Sequence, residues 1–286
     1  MAAAKTFGNY TLLSKLASGG MGETHLAEQL GAAGVSRRVV IKTMQPRFAD
    51  DQDKVDAFVQ EARVSATLTH GNIAQVYEFG QVDGTYFLAM EHVVGRSLQK
   101  VLERVKASGF RRLPFAVSAY VTIELLKALH YAHTRTGADG RPLNLVHRDV
   151  SPDNVMIGFE GEVKLVDFGV AKASMKDRAE TEPGLVKGKY RYLSPEQARA
   201  DALDGRSDLF SAGIVLYEML TGQRPFPGVG QTVMRDIVYA DVVPPKVRVA
   251  GIPDELAEIT MKALQKKRED RFPTAREAFH LSLIHI

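Results

Sequence analysis

The sequence predicts an α+β protein with two lobes, a small strand-rich lobe followed by a larger, mostly helical lobe. Early in the chain, short apolar and β-branched stretches such as "YTLLSKLASGG" and "RRVVIKTM" are separated by Gly-rich turns, as in a sheet built from hairpins. Beyond "YFLAMEHVVG" the apolar residues recur at helical spacing instead. We place the joint between the lobes near His92 to Gly95.

Composition restricts the classes of protein that this chain can represent. Its 286 residues, 45% of them hydrophobic, suffice for a large core, and the lack of cysteine excludes disulfides and thiolate metal sites. The net charge of +3 is small and the basic residues are spread along the chain, so nucleic-acid binding is not expected. No apolar run reaches the ~18 residues of a membrane helix, and no secretory signal is present. We therefore expect a cytoplasmic protein with no membrane segment.

Helices are predicted where apolar residues share one face. In the first lobe, Val55, Phe58 and Ala62 follow the spacing of an amphipathic helix. In the second lobe, a long helix is predicted around residues 117–128, and "SDLFSAGIVLYEMLTG" predicts another that ends at Gly222. No internal repeat or linker divides these elements, so one two-lobed unit is expected.

A Gly-rich turn and two charged residues of the first lobe indicate phosphate binding. "LASGGMGETHLA" places Gly19, Gly20 and Gly22 between two predicted strands, where glycine lets backbone N–H groups approach a phosphate. Taken alone, such a hairpin tip is more often a simple turn, and Lys42 in "VVIK" and Glu61 are typical surface charges. Their order along the chain favours a phosphate site.

The second lobe carries the hard oxygen ligands that Mg²⁺ prefers. Asp149 and Asn154 lie in "LVHRDVSPDNVMIG", and Asp167 follows an apolar strand in "VKLVDFGVAK". Magnesium commonly binds through a few protein oxygens together with substrate phosphates. An isolated Asp-Phe-Gly is commonly a turn, but here "YLSPE" follows it. The ordered series indicates a magnesium and phosphate site.

This set of motifs resembles that of a bacterial eukaryotic-like (Hanks-type) serine/threonine protein kinase, from Tyr10 to about His280. The resemblance implies the bilobal kinase fold, with residues 10–93 as the N-lobe and residues 94–280 as the C-lobe. It also implies ATP, Mg²⁺ with Mn²⁺ as an alternative, and protein substrates that carry serine or threonine.

The resemblance assigns a role to each catalytic position. Lys42 would hold the α- and β-phosphates and pair with Glu61, and Asp149 would orient the substrate hydroxyl or accept its proton. Asn154 and Asp167 would bind the metal. The residues implied in nucleotide binding are Ala17, Ser18, Gly19, Gly20, Gly22, Thr24, Val40, Lys42, Met90, Glu91, Val93 and Met156.

Three further positions are implied to organise the second lobe. Asp208 resembles the buried aspartate that anchors the catalytic loop of the family. Glu196 and Arg271 resemble the ion pair that fixes the lower activation segment, although the sequence alone would place both on the surface.

The resemblance also implies regulation by phosphorylation within residues 173–188. Arg148 would receive an activation-loop phosphate through charge-assisted hydrogen bonds. Thr181 is the preferred site and Ser174 the second choice. The alternative is an exposed loop with incidental hydroxyls.

The chain departs from the family pattern around the nucleotide. Ala17 stands where the first loop glycine is usual, and Thr24 and Val40 replace the usual valine and alanine. The first change should stiffen the turn, and the other two add polarity and bulk beside the adenine. We expect a nucleotide affinity below that typical of the family.

A second departure concerns the catalytic loop. The family usually has lysine where this chain has Ser151, and threonine where it has Lys189. We interpret the two changes as an exchange in which Lys189 supplies the cation and Ser151 the hydroxyl, so both are candidate catalytic residues. The alternative is that the two changes are unrelated.

The leading hypothesis is a kinase that transfers the γ-phosphate of ATP to protein serine and threonine in a bacterial signalling pathway and autophosphorylates through a transient homodimer. Its main rival is a pseudokinase scaffold, favoured by Ala17, Ser151 and Lys189. A small-molecule kinase is weaker, because "YLSPE" would then have no use. Tyrosine specificity is disfavoured but stays an alternative, since Ser151 removes the serine/threonine marker without supplying the tyrosine-kinase pattern.

The last six residues, "LSLIHI" at positions 281–286, are interpreted as a non-native tail. They match one reading frame of a common transposon-end adapter used in DNA sequencing, and they follow "TAREAFH" where the last helix should continue. If so, the natural chain would be longer, with a linker, a membrane helix or a sensor domain that would overturn the expectation of a cytoplasmic protein.

Overall fold

The computed structural model describes residues 5–18, 22–31, 34–137, 139–168 and 189–284, with the backbone alone for residues 189 and 281–284. Its first lobe is a six-stranded antiparallel sheet in the order β1-β2-β3-β4-β6-β5. The strands are β1 (Lys5–Phe7), β2 (Tyr10–Ser18), β3 (Gly22–Leu30), β4 (Ser36–Met44), β5 (Val76–Val82) and β6 (Thr85–Glu91).

Helix α1 (Gln52–Ala66) packs on this sheet. Val55, Phe58 and Ala62 are buried and share an apolar core with residues of β4 and β6, which confirms the predicted helical face. Glu61 lies on the same helix and is only 6% exposed. The core of the first lobe thus fixes the position of this carboxylate.

The second lobe is helical. Its helices are α2 (Leu98–Ala107), α3 (Phe115–His133), α4 (Pro195–Ala198), α5 (Gly205–Thr221), α6 (Gln231–Tyr239), α7 (Pro245–Arg248), α8 (Asp254–Ala263) and α9 (Ala275–Ile284). Helix α5 is buried from residue 207 to residue 221, and a helix that is apolar on most sides is expected in such a core. Gly222 ends it in the left-handed conformation (φ 70°), as its sequence position predicts.

A second, three-stranded sheet lies after the joint between the lobes. It consists of β7 (Gly95–Ser97), β8 (Val155–Gly158) and β9 (Val163–Leu165). Gly95 is required there, because a Cβ atom would lie 2.0 Å from the carbonyl oxygen of Ile157. The loops that flank β8 and β9 carry the predicted metal ligands.

The segment that follows α1, residues 68–75, is hydrogen-bonded to the second lobe. Leu165 N donates to Asn72 O (2.8 Å), and Ala74 N donates to Leu165 O (3.0 Å). Asn72 Nδ2 also donates to Glu124 Oε2 on α3 (2.7 Å). The C-terminal end of α1 is therefore anchored to the helical lobe.

The predicted boundary between residues 93 and 94 falls in the connection from β6 to β7 and stays a prediction. Residues 281–284 continue α9 as helical backbone, and their interpretation as a non-native tail also stays a prediction. Among the helices of the described residues, none is long and apolar enough to cross a membrane.

Candidate active site

Lys42 is the centre of a cluster whose members come from three elements. Lys42 lies on β4, Glu61 on α1, and Asp167 shortly after β9. Lys42 Nζ donates to Glu61 Oε1 (2.5 Å) and to Asp167 Oδ1 (3.0 Å). The fold thus brings together side chains that are 19 and 125 positions apart, in line with the pairing that the resemblance implies.

The charge on Lys42 is stabilised by this arrangement. Burial alone would lower the pKa of the ammonium, but Asp167 and Glu61 raise it above its ordinary value. The side chains of Lys42 and Glu61 are 17% and 8% exposed, whereas that of Asp167 is 39% exposed. The cluster therefore opens to solvent on the side of Asp167, where an anion or a metal can approach.

Asn154 orders the loop that carries Asp149. Asn154 Nδ2 donates to the backbone oxygen of Asp149 (2.8 Å) and to its Oδ2 atom (2.9 Å). The amide oxygen Oδ1 of Asn154 is therefore the atom able to bind a cation. Asp167 has a left-handed backbone (φ 57°), a conformation that costs energy outside glycine and is common at functional sites.

The donor set fits a divalent metal bound together with ATP. Asn154 and Asp167 offer hard oxygen ligands of the kind that Mg²⁺ prefers. Within the part of the chain that the structure describes, no cluster of three or more His, Asp and Glu side chains could hold a metal alone. A metal held by Asn154 and Asp167 would take its remaining oxygen ligands from phosphate or water.

Asp208 holds the backbone of the catalytic loop. Its carboxylate, 1% exposed on α5, accepts hydrogen bonds from His147 N (2.8 Å) and Arg148 N (2.9 Å). His133 Nε2 lies 2.8 Å from the same carboxylate. Burial alone would raise the pKa of Asp208, but His133 and His147 hold it below its ordinary value. Arg148 is thereby kept in a left-handed conformation (φ 66°) beside Asp149.

Glu196 and Arg271 form a buried ion pair in the second lobe. Arg271 Nη1 and Nη2 donate to Glu196 Oε1 (2.7 Å) and Oε2 (2.8 Å). The Arg271 and Glu196 side chains are 0% and 4% exposed, so the surface location that the sequence alone suggests is wrong. Burial alone would raise the pKa of Glu196, but Arg271 keeps it below its ordinary value.

Gln197 is a positioning residue that the sequence analysis missed. Its side chain donates to Arg148 O (2.9 Å), which links α4 to the catalytic loop. Its amide oxygen accepts from Ser194 N (3.0 Å), and Ser194 Oγ accepts from Gln197 N (3.2 Å). The sequence "SPEQ" carries the spacing of such a capping box and could have revealed the contact.

The predicted nucleotide contacts lie on neighbouring strands. Val40 on β4 is paired in register with the buried Met90 on β6. Thr24 on β3 is paired with Ala17 on one side and with Lys42 on the other. These positions share one region of the sheet, and their contact with a nucleotide stays a prediction.

Glu91 turns its side chain toward the second lobe. Its carboxylate accepts from Gln75 N (3.1 Å) and pairs with Lys164 Nζ on β9 (3.0 Å). Only the backbone of Glu91 is therefore placed to meet an adenine. Val93 is buried, and Met156 on β8 is paired in register with Lys164.

The Gly-rich turn is described in part. Ser18 ends β2 and Gly22 begins β3, whereas Gly19 and Gly20 lie outside the described residues. A Cβ atom on Gly22 would lie 2.1 Å from Thr43 O. Close strand pairing is thus a reason for glycine at this position in addition to phosphate approach.

Of the two residues in the proposed exchange, the structure describes the side chain of Ser151 only. Ser151 is buried, and its carbonyl oxygen accepts from Asn154 N (3.0 Å). The backbone of Lys189 begins a short 3₁₀ helix, Lys189–Tyr192, and its side chain lies outside the described part of the chain. Thr181 and Ser174 also lie outside the described residues.

The fold and these contacts define the class of protein. The chain belongs to the protein kinase domain family, whose model matches residues 10–284. This confirms the resemblance seen in the motifs and the two-lobed kinase fold. Members of the family use ATP and a divalent metal.

Individual relatives are bacterial kinases. The chain is 43% identical over 276 residues to tyrosine-protein kinase MasK of Myxococcus xanthus (strain DK1622), covering 96% of this chain and 42% of MasK. It is 36% identical over 273 residues to serine/threonine-protein kinase PknB of Mycobacterium leprae (strain TN), covering 94% and 41%. The crystal structure of the M. tuberculosis PknI kinase domain matches with a TM-score of 0.71 and 26% identity, covering 99% of this chain and 97% of that chain. The chain spans about two fifths of the length of these curated relatives.

Proposed function

We propose that this chain transfers the γ-phosphate of ATP to serine and threonine hydroxyls of proteins. The observation that carries the proposal is the convergence of Lys42, Glu61 and Asp167 close to the hydrogen-bonded pair of Asn154 and Asp149. In phosphoryl transfer the protein mainly positions the reactants and offsets charge. A lysine, two metal-binding oxygens and one carboxylate are sufficient for that chemistry.

Each residue has a defined task in this proposal. Lys42 binds the α- and β-phosphates, and Glu61 holds the ammonium in place. Asn154 and Asp167 would hold magnesium, which would stabilise charge at the transferring oxygens when bound. Asp149 receives the proton of the substrate hydroxyl as the oxygen–phosphorus bond to the substrate forms and the bond to ADP breaks.

Transfer of labelled phosphate from γ-labelled ATP tests the proposal directly. We expect labelling of the protein itself and of added peptides, and its loss in Asp167→Ala. Asp254→Ala is the matched control, because Asp254 is 73% exposed on α8 and pairs with Lys246. If ATP binds but wild-type labelling does not exceed that of Asp167→Ala, the pseudokinase alternative is correct.

Tyrosine transfer is the second candidate. It is favoured by the 43% identity to a protein named tyrosine-protein kinase MasK, and by Ser151 in place of the lysine usual in serine/threonine kinases. The serine/threonine proposal is supported by the 36% identity to PknB. Phosphoamino-acid analysis of the labelled protein should give phosphoserine and phosphothreonine, and phosphotyrosine alone would establish the second candidate.

We further propose that autophosphorylation at Thr181, or at Ser174, activates the kinase. The proposal is supported by Arg148, whose Nε atom is buried without a hydrogen-bond partner among the described residues and so has donor capacity for a phosphate. The double variant Thr181→Ala with Ser174→Ala should lower the initial activity. Transfer between two transiently paired copies should make the autophosphorylation rate second order in enzyme concentration. Unchanged initial activity in the double variant would exclude this switch.

A further inference from the structure

A cluster of charged side chains borders the peptide-positioning segment "KYRYLSPE", residues 189–196. Tyr192 OH donates to Glu218 Oε2 on α5 (2.6 Å). Arg224 Nε lies 3.5 Å and Lys106 Nζ 4.0 Å from Glu218 Oε1. We name Tyr192, Glu218, Arg224 and Lys106 the Tyr192 cluster, and the chemistry proposed above uses none of them.

The solvent-facing part of the Tyr192 cluster is cationic. The Glu218 side chain is 3% exposed, whereas those of Arg224 and Lys106 are 29% and 49% exposed. Burial and the neighbouring Glu218 raise the pKa of Tyr192, so its hydroxyl stays a donor. One buried negative charge is thus covered by two cations that solvent and ligands can reach.

Two arginines of this region carry guanidinium groups suited to an oxyanion. Arg191 directly precedes Tyr192, and Arg224 is the member of the Tyr192 cluster that lies on the loop after α5. The Nε atom of Arg191 is buried without a hydrogen-bond partner among the residues that the structure describes, although buried donors are normally satisfied. Arg224 Nε lies 3.5 Å from Glu218 Oε1, and its side chain is 29% exposed. Because the planar guanidinium group is matched to carboxylate and phosphate oxygens, both side chains are suited to bind one.

The Tyr192 cluster is connected to the loop that carries the catalytic aspartate. Gln197 Nε2, five residues after Tyr192, donates to Arg148 O next to Asp149 (2.9 Å). On the other side, Gln99 N donates to Pro152 O (3.0 Å), so α2 begins beside the catalytic loop and carries Lys106 in its last turn. Under the proposed function, a peptide with its acceptor hydroxyl at Asp149 would lie next to the loop to which this segment is bonded.

Acidic side chains of the same region limit the net charge. Glu103 on α2 accepts a hydrogen bond from Gln99 Nε2 (2.7 Å), and Asp153 is exposed in the catalytic loop. A large positive field is therefore absent from this region, and any selectivity must come from the positions of Arg191 and Arg224.

We propose that Arg191 and Arg224 are specificity-determining residues that bind aspartate or glutamate side chains next to the phosphorylated residue. The inference rests on the proposed kinase function and assigns acidic peptides as its substrate class. The chain's own predicted phosphorylation site has this character, because Thr181 lies between Glu180 and Glu182.

Three peptides of equal length, each with one threonine flanked by glutamate, glutamine or lysine, test this inference. In the wild type, kcat/KM should be more than tenfold higher for the glutamate peptide than for the glutamine peptide. Arg191→Gln and Arg224→Gln should each lower this ratio by about tenfold, the effect of losing one charge-assisted hydrogen bond. The change should lie in KM for the peptide. Arg141→Gln, whose side chain is 87% exposed on a distant turn, should keep the wild-type ratio.

Three measurements and one further variant separate recognition from folding and from catalysis. Thermal unfolding and KM for ATP report on folding, and Arg224→Lys, which keeps the charge, should retain part of the preference. Fluorescence anisotropy of the labelled peptides measures binding without transfer. Equal binding and turnover of the glutamate and glutamine peptides would overturn the inference. Absence of transfer to any peptide, with a binding preference that the two variants lose, would overturn the proposed function and support this inference.

Discussion

The Lys42 cluster and the pair formed by Glu196 and Arg271 are both ion pairs between distant parts of the chain, and they differ in exposure. Arg271 and Glu196 are 0% and 4% exposed, whereas Lys42 and its partner Asp167 are 17% and 39% exposed. The pair of Glu196 and Arg271 is buried in the helical lobe. The Lys42 cluster lies between the lobes and is accessible to a ligand.

Arg271 and Lys42 also differ in the hydrogen bonds that they donate. An arginine has five N–H donors, and in Arg271 all five are used. Its acceptors are both carboxylate oxygens of Glu196 and the backbone oxygens of Gln265, Arg206 and Lys266. Lys42 instead bonds two carboxylates that belong to different lobes. A buried ion pair whose donors are all used therefore fixes the fold, whereas a partly exposed lysine can exchange a carboxylate partner for a phosphate.

Removal of Arg271 should have the largest effect on stability. Arg271→Ala leaves the buried carboxylate of Glu196 unpaired, and we expect the free energy of unfolding in urea to fall by about 3–5 kcal/mol. Arg199→Ala is the control, since Arg199 is 45% exposed and pairs with the exposed Asp201, and it should cost about 0–1 kcal/mol. Equal losses in both variants would show that the buried pair does not fix the fold.

Removal of Lys42 should affect turnover rather than folding. Lys42→Met deletes the contact that holds the α- and β-phosphates in position for transfer, so we expect kcat to fall by about 10²–10³, equivalent to ~2.7–4 kcal/mol. The free energy of unfolding should change far less than in Arg271→Ala. A comparable loss of stability would mean that both ion pairs are structural and would remove the contrast between them.

In the proposed exchange of Ser151 and Lys189, Lys189 serves as a second cation at the catalytic site. Substitution of these two residues tests this role. Lys189→Ala should lower kcat by roughly 10²–10³ and change KM for ATP much less, because the lysine acts as a point charge during transfer. Ser151→Lys combined with Lys189→Thr should recover much of the loss, whereas Lys189→Thr alone should not. Near-normal kcat in Lys189→Ala would rule the exchange out.

The smallest expected effect concerns Lys266, a half-buried lysine next to Arg271. Its Nζ atom donates to Ile237 O (2.7 Å) at the end of α6. Burial and, to a smaller extent, nearby Arg271 lower the pKa of Lys266 to about 8, against the opposing effect of Asp241 and Asp236. Between about pH 8 and the unfolded-state value near 10.5, the unfolded chain binds more protons, so stability rises with pH.

The variant Lys266→Met isolates this contribution. We expect the wild type to gain about 1 kcal/mol relative to the variant as the pH rises from 8 to 10, a value reduced by solvent screening of the half-buried group. Urea unfolding at several pH values measures the difference. A constant difference across this range would show that Lys266 keeps an ordinary pKa.

Patterns that depend on local spacing could be read from the sequence. The strands, the apolar face of α1 and the termination of α5 at Gly222 follow from periodicity and from glycine chemistry. The meeting of Lys42 with Glu61 could be expected only through the family resemblance, because no local pattern relates residues on different elements.

The features that escaped prediction depend on distant partners. The Glu91 carboxylate is bonded to Lys164, 73 positions later in the chain. Gly22 is fixed by the backbone of Thr43 on the adjacent strand. Arg271 is a typical surface residue by sequence, but in the fold it is enclosed by three backbone carbonyls and Glu196. Pairings of this kind are set by tertiary packing.

Because residues 68–75 are anchored to the helical lobe, the C-terminal end of α1 is fixed, and the helix can tilt around that end. Glu61 lies five residues before Ala66, about 7.5 Å from that end along the helix axis. A tilt of about 10° around the anchored end would move Glu61 by about 1.3 Å, given the rise per residue of an α-helix. Since the bond from Lys42 to Glu61 measures 2.5 Å and hydrogen bonds weaken beyond ~3.2 Å, this rotation is enough to break it. A small angular displacement of one helix is therefore enough to lengthen the Lys42 to Glu61 contact beyond hydrogen-bonding distance.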